Sequence, residues 1–309
     1  MLTGRGPDFS LMHAVEPKVR LLDPHTVNQI AAGEVVERPA SALKELVENA
    51  LDAGATRIEV DLEEAGRKVI RVRDDGCGMS ETDALAALQR HATSKIRAIG
   101  DLLSVETLGF RGEALPSIAS VSRMTLSTGD QDGVRTVVRV DAGRASPPLR
   151  ESGPRGTDLL VEDLFHNTPA RLKFLKTDTT ELAACVEVVQ RAAVGRPDVS
   201  FVLRHNGQEL MRSHGDGDLL EAVAAVWGRD IARALVPLDS FNGMVRVRGF
   251  VSPPHFTRPT RAYQWVFVNG RPVRSRQLTA ALDVAYRSLT PEKRYPVAVL
   301  MLDVEPAKV

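Results

Sequence analysis

Between residues 39 and 53 the apolar side chains Leu43, Leu46, Val47, Ala50 and Leu51 recur at i, i+3, i+4, i+7 and i+8, which predicts an amphipathic helix. Pro39 suits its first turn and Gly54 the position just past its end. Residues 58–62 then alternate apolar with acidic positions and 69–73 apolar with basic ones, the pattern of two half-buried strands joined by a hairpin through 63–68. A helix at 81–91 is followed by a long stretch without strong periodicity, up to Phe110. After it come a helix at 114–121, strands at 124–128 and 134–140, and a Gly-, Pro- and Ser-rich loop at 141–155. Strand 159–161, helix 181–194 and strand 201–204 lead to the glycine turn at 215–217, the candidate domain boundary. Beyond it the pattern predicts helix 219–227, strands 245–251 and 264–268, helix 277–289 and strand 297–304. Residues 1–17 lack periodicity and read as a loose arm, within which Met12 is an alternative start. The mixture of helices and strands in both parts makes the class α+β, with units at 18–218 and 219–309 and no internal repeat.

The 309 residues suit two domains. Hydrophobic and charged fractions of 43% and 26% are ordinary for a globular protein, and no apolar run approaches the ~20 residues of a membrane span. No secretory signal pattern is visible, and two cysteines, Cys77 and Cys185, exclude a disulfide framework or a cysteine-rich zinc site. A cytoplasmic setting follows as an expectation. The net charge of zero is unevenly spread: residues 219–309 hold 13 Lys+Arg against 7 Asp+Glu. From Ser240 to Leu282 there are seven arginines and no acid, which predicts a local positive potential suited to phosphate backbones.

Three constellations carry candidate chemistry. On the 39–53 helix, Glu45, Asn49 and Asp52 share one face at i, i+4 and i+7, opposite the apolar stripe and with no lysine at the same angle. An ordinary surface helix explains that spacing equally well; a carboxylate beside an amide oxygen is also what a magnesium–phosphate site with a water-activating base requires. Asp74-Asp75-Gly76-Cys77-Gly78 follows a strand directly, so Asp74 is placed to accept from an exocyclic amine while the glycines admit a flat ligand. Gly109-Phe110-Arg111-Gly112-Glu113-Ala114-Leu115 leads into a helix whose N–H groups suit an anion, and it is not a P-loop because no G-K-[ST] follows.

Taken in order, NQIAAGEVVERPASALKELVENALD at 28–52, DDGCGM, RHATSK, GFRGEAL, NTPARLKF and VNGRPVR resemble the MutL family of DNA mismatch-repair ATPases, from about Val19 to the last residue. The family belongs with gyrase, Hsp90 and histidine kinases; GFRGEAL, NTPAR and VNGR point to MutL. The resemblance implies an Hsp90/gyrase-like ATPase α/β sandwich, followed by a domain with the fold of the ribosomal S5 second domain. It makes Glu45 the general base, Asn49 the magnesium ligand and Asp74 the adenine acceptor. It also places Asp52 and Met79 in the ATP site and lets the base pack against the backbone of Gly76 and Gly78. Thr93, Ser94 and Lys95 with Gly109, Phe110, Arg111, Gly112, Glu113, Ala114 and Leu115 form a lid over the phosphates, and Thr157 holds the adenine-side water network. His91 is structural. By the same resemblance Arg271, Arg274 and Arg276, in a loop at 269–276, are expected to contact DNA backbone without sequence preference.

ATP and magnesium are therefore the expected cofactors. DNA, a MutS-type mismatch-recognition protein and a second copy on ATP binding are the expected partners, with no membrane. The family's γ-phosphate lysine comes about a dozen residues after Pro306-Ala307-Lys308, so Lys308 reads as a look-alike and the chain as cut before that lysine, with hydrolysis weakened more than binding. The family's C-terminal dimerisation domain, which in some members carries a nicking site, is not within this sequence. The competing reading is a nucleotide-responsive DNA- or protein-binding module with negligible turnover. A histidine kinase relative would need a phosphoacceptor histidine region ahead of the ATP motifs, and a type II topoisomerase subunit a different lid.

Overall fold

The computed structural model describes residues 36–90, 92, 112–131 and 133–305. The arm at 1–17, His91, Thr93–Lys95 and Gly109–Arg111, and Lys308 lie outside them. Among the described residues nine strands form the first sheet: β1 (Arg57–Glu63), β2 (Val69–Asp74), β3 (Arg123–Gln131), β4 (Val134–Asp141), β5 (Arg144–Ala145), β6 (Leu149–Glu151), β7 (Gly156–Glu162), β8 (Ser200–His205) and β9 (Gln208–Arg212). Their order is β5-β4-β3-β7-β2-β1-β8-β9, with β6 beside β4. β1 and β2 are the antiparallel hairpin expected from their alternation, whereas β1 and β8 pair in parallel across the long connection between them.

One face of this sheet is covered by the helices Pro39–Asp52 and Asp178–Gly195. Pro39 opens the first of them at a position where its missing N–H costs nothing, and the Arg38 side chain does not cap that end. Leu43, Leu46, Val47 and Ala50 pack against Ile58, Val60, Ile70, Val72 and Val189 in the first core. The opposite face carries the alternate residues as a charge lattice, with Arg73 paired to Asp61 and Arg71 to Asp158, both at 2.6 Å.

Several boundaries differ from expectation for physical reasons. The helix beginning at Glu81, capped by the Ser80 hydroxyl, ends at Ala87 instead of reaching 91, because the Gln89 N–H turns back to the Ala86 carbonyl in a tight closure. The loop at 141–155 contains β5 and β6. Ala142 and Gly143, at φ 49° and 83°, make the tight turn that folds β5 back onto β4. Asn206-Gly207 does the same before β9, which the alternation does not reveal.

A second sheet follows, built from β10 (Val236–Phe241), β11 (Val245–Val251), β13 (Gln264–Val268), β14 (Arg271–Val273) and β16 (Ala298–Val304) in the order β10-β11-β16-β13-β14. β12 (Thr257–Arg258) and β15 (Tyr295–Pro296) form a separate two-stranded pair. The helices Leu219–Trp227 and Arg229–Ala234 place Val223 and Ile231 on the Trp265, Phe267 and Val299 side of the sheet. The helix after β14 spans Arg276–Tyr286, shorter than 277–289. No helix among the described residues is long and apolar enough to cross a membrane.

The Asp178–Gly195 helix belongs to both cores. Cys185, Val189 and Ala193 sit in the first, while Val194 sits in the second and the Arg191 guanidinium lies 4.6 Å from the Trp265 ring centroid. Near its start Glu181, only 1% exposed, accepts from Arg38 Nε and from the Lys176 N–H, both at 2.9 Å, so it ties the start of the Pro39–Asp52 helix to this one. Glu181→Ala strips a buried N–H and a guanidinium of their acceptor and is expected to lower unfolding free energy by about 2 kcal/mol in urea titration.

Candidate functional site

Two of the three constellations meet at one end of the Pro39–Asp52 helix. The Cys77 N–H donates to the carbonyl of Ala53, the helix C-cap residue, at 2.9 Å, and a Cβ on Gly76 would lie 2.8 Å from the Ala53 Cβ. Gly78 adopts φ +63°, and a Cβ there would stand 1.9 Å from the Gly129 carbonyl oxygen of β3. The spacing in this motif is therefore a requirement for bare backbone, set by the helix end on one side and β3 on the other.

Asp74 closes β2 with its carboxylate drawn inward. Oδ1 accepts the Gly76 N–H at 2.9 Å, and the Thr157 backbone N–H also donates to the group. Burial outweighs both bonds and pushes the Asp74 carboxyl up to about 6. Asp75, by contrast, turns outward to accept from the Thr56 and Arg57 N–H groups and the Thr56 hydroxyl. Two adjacent aspartates thus take different parts: Asp75 fastens the loop and Asp74 faces the site.

On the helix, Glu45, Asn49 and Asp52 are all half-buried. The expectation of a face without lysine needs correction, because Lys44 swings over to place Nζ 2.9 Å from Glu48 and 3.6 Å from Glu45. Glu48 joins these residues as a further carboxylate that the i, i+4, i+7 spacing does not select, and burial holds its pKa above the usual range. Gly112, at φ +61°, and Glu113 precede the Ala114–Ser120 helix, in which Pro116 removes one N–H that an anion could have used.

Thr128 is a further residue that the motifs do not reveal. It is fully buried, and its hydroxyl contacts the Met79 N–H, the Gly156 carbonyl and the Thr157 hydroxyl. Its signal in the sequence is a polar residue in the inward register of β3, after Met124 and Leu126.

The structure thus sets a buried acceptor beside bare backbone and staples it to a helix that carries acid and amide. Residues 37–146 match the family of histidine kinase-, DNA gyrase B- and Hsp90-like ATPases, and residues 223–309 match the C-terminal domain of DNA mismatch repair proteins. The crystallised MutL ATPase domain of Aquifex aeolicus, complexed with ADP, is 30% identical with a TM-score of 0.67, over 88% of this chain and 94% of that one. This chain belongs to the MutL family of DNA mismatch repair proteins. MutL from Geobacillus kaustophilus is 49% identical over 292 residues, covering 94% of this chain and 46% of that protein. The N-terminal domain of a DNA repair protein gives a TM-score of 0.79 at 26% identity, over 91% of this chain and 87% of that one. The chain spans about half the length of the curated MutL relatives it matches. Within it lies an ATPase domain of the gyrase, Hsp90 and histidine kinase type.

The arginines of the second part are less one-signed in space than along the chain. Arg246 pairs with Asp239 at 2.7 Å, Arg248 with Asp303 at 2.7 Å, Arg261 with Asp283 at 2.8 Å and Arg274 with Glu187 at 2.8 Å. Acids from outside the 240–282 window supply these partners, which corrects the expectation of an uncompensated stretch. The segment 269–276 is likewise not one loop: an Asn269-Gly270 turn leads into β14 at Arg271, and Arg276 begins a helix. Arg274 nevertheless keeps 80% of its side chain exposed, and Arg276 is exposed.

Because Asp74 holds its proton more tightly in the folded chain than at the ordinary value of 3.8, it contributes stability below about pH 4 that is lost as pH rises through about 6. Asp74→Asn removes that slope. The stability of the variant relative to the parent is expected to rise by about 2 kcal/mol between pH 4 and pH 7.5, measured by denaturant titration without nucleotide.

Proposed function

We propose that this chain is the ATPase region of a MutL-type mismatch-repair protein, which binds ATP with magnesium, hydrolyses it slowly and uses the cycle to close a lid, dimerise through its N-terminal region and clamp DNA. The carrying observation is the junction of the Asp74 loop with the end of the Pro39–Asp52 helix, through Cys77 and Ala53. It supports reading Asp74 as a base acceptor that shares one site with the acid–amide face of the helix.

In this reading Asp74 accepts from the exocyclic amine of adenine, and Gly76, Gly78 and Met79 give the base a backbone surface to lie on. Glu45 orients the attacking water and takes its proton. Asn49 offers its amide oxygen to magnesium, Asp52 supports the same face, and Thr157 completes the adenine side. Hard oxygen donors fit that ion. Among the described residues no cluster of three or more His, Cys, Asp or Glu could hold a metal, so an ion here would take few ligands from the protein and the rest from phosphate and water. Magnesium supplies charge neutralisation at the phosphates. Thr93–Lys95 and Gly109–Leu115 serve as the lid. The division at 18–218 and 219–309, DNA contact through Arg271, Arg274 and Arg276, a MutS-type partner and a cytoplasmic, DNA-associated setting belong to the same proposal.

Glu45→Ala is expected to cut steady-state phosphate release at least about 100-fold while binding of a non-hydrolysable ATP analogue with magnesium, followed by calorimetry, stays within about twofold. Asp74→Asn is expected to abolish that binding. Unchanged phosphate release in Glu45→Ala would instead favour a binding module with negligible turnover.

Replacing Arg271, Arg274 and Arg276 by Ala should weaken binding to DNA of any sequence and flatten its logarithmic salt dependence by roughly one unit for each phosphate that is no longer neutralised. Fluorescence anisotropy across a salt series reads both quantities.

A further inference from the structure

Asp74, Thr157, Thr128 and Thr136 stand directly opposite one another across β2, β7, β3 and β4. The rungs beside them on the same face are apolar: Val72, Leu159, Leu126 and Val138 in one, Ile70, Val161, Met124 and Val140 in the next. One rung of a hydrophobic face is thus polar, and it begins at the candidate base acceptor. Thr128 is fully buried and Thr157 8% exposed, so water cannot make up for a mispaired hydroxyl on the inner side.

The donors and acceptors around Thr128 fix how these hydroxyls point. Thr128 Oγ1 lies 3.0 Å from the Met79 nitrogen, 3.2 Å from the Gly156 carbonyl oxygen and 3.0 Å from Thr157 Oγ1. A threonine hydroxyl has one proton and two lone pairs. The Met79 N–H occupies one lone pair. The Gly156 carbonyl cannot donate, so only the Thr128 proton can serve it. Thr157 must then donate its own proton to the second lone pair of Thr128. All three contacts are made together in this polarity alone, and it turns the Thr157 proton inward, leaving Thr157 only lone pairs for a ligand.

We propose that Thr128 sets the hydrogen-bond polarity of the base-recognition site and thereby selects a 6-amino over a 6-oxo purine nucleotide. With Thr128 in place, Asp74 and Thr157 are both acceptors. An exocyclic amine satisfies them, whereas a 6-oxo group sets oxygen against oxygen. Thr128 touches no part of the nucleotide in this scheme and acts by positioning the Thr157 proton. The inference rests on the reading of Asp74 as the base acceptor.

The test is calorimetric titration of the full chain with ADP and with IDP, which differ at the 6-substituent and in the proton on N1 and need no turnover. Thr128→Val keeps the shape but frees the Thr157 proton to rotate outward, so the ADP-over-IDP preference should shrink about tenfold, through tighter IDP binding as well as weaker ADP binding. Thr128→Ser, which keeps the hydroxyl, should restore the preference. Equal weakening of both nucleotides in Thr128→Val, the result of a purely structural role, overturns the proposal. If Thr128→Val does not fold, Thr157→Val decides: the preference should fall with its lone pairs gone, and an unchanged ratio overturns the proposal. Asp74→Asn separates the two levels, since undiminished ADP binding there removes the base-acceptor reading itself, whereas loss of binding together with an unchanged ratio in Thr128→Val removes the polarity inference alone.

Discussion

The contact on which the candidate site depends is a single backbone hydrogen bond, from the Cys77 N–H to the Ala53 carbonyl. The helix brings an acid–amide face and the β2 strand brings an inward carboxylate. Neither is a site alone, since helices with such faces and Asp-Gly turns are common. Joining them requires two backbones to approach without side chains between, and this is why glycine stands at 76 and 78. The helix C-cap and the β3 backbone leave no volume for a Cβ at either position. Specific chemistry here follows from exclusion of atoms as much as from their presence.

Burying a carboxylate works against folding unless its bonds compensate, and at Asp74 they do so only in part, since its carboxyl remains raised to about 6. An acceptor left short of donors in the unliganded chain is what a ligand amine can complete. Lys44 plays the corresponding part on the helix, where it partly balances the crowding of Glu45 and Glu48.

Much of this is legible in the residues. The 39–53 periodicity locates the principal helix because its apolar stripe is buried along its whole length, and the alternation in 58–62 and 69–73 marks the first hairpin because one face of that sheet is charged and the other dry. Where pattern and structure part, the causes are tertiary. The 81–91 pattern overruns since a local turn at Gln89 ends the helix. Asn206-Gly207 and Asn269-Gly270 are strong hairpin signals, but the strand after each is too short or too polar to show a period. The arginines look uncompensated because their acidic partners are distant in sequence: Glu187 reaches Arg274 from another sheet's helix, and Asp303 reaches Arg248 across a strand pair. Thr128 stays hidden because one hydroxyl in an apolar register has no meaning until the neighbouring strands are aligned beside it.

The Asp178–Gly195 helix has 18 residues and is therefore about 27 Å long. It lies in the first core for most of its length and enters the second at its end, with Glu187 and Arg191 gripping Arg274 and Trp265 on the way. A stiff rod behaves as a lever arm: a tilt of about 5° at its first turn displaces the far end by roughly 2 Å over that length. Arg274 is fastened to Glu187, near the middle of that length, so the same tilt carries it about half as far as the end.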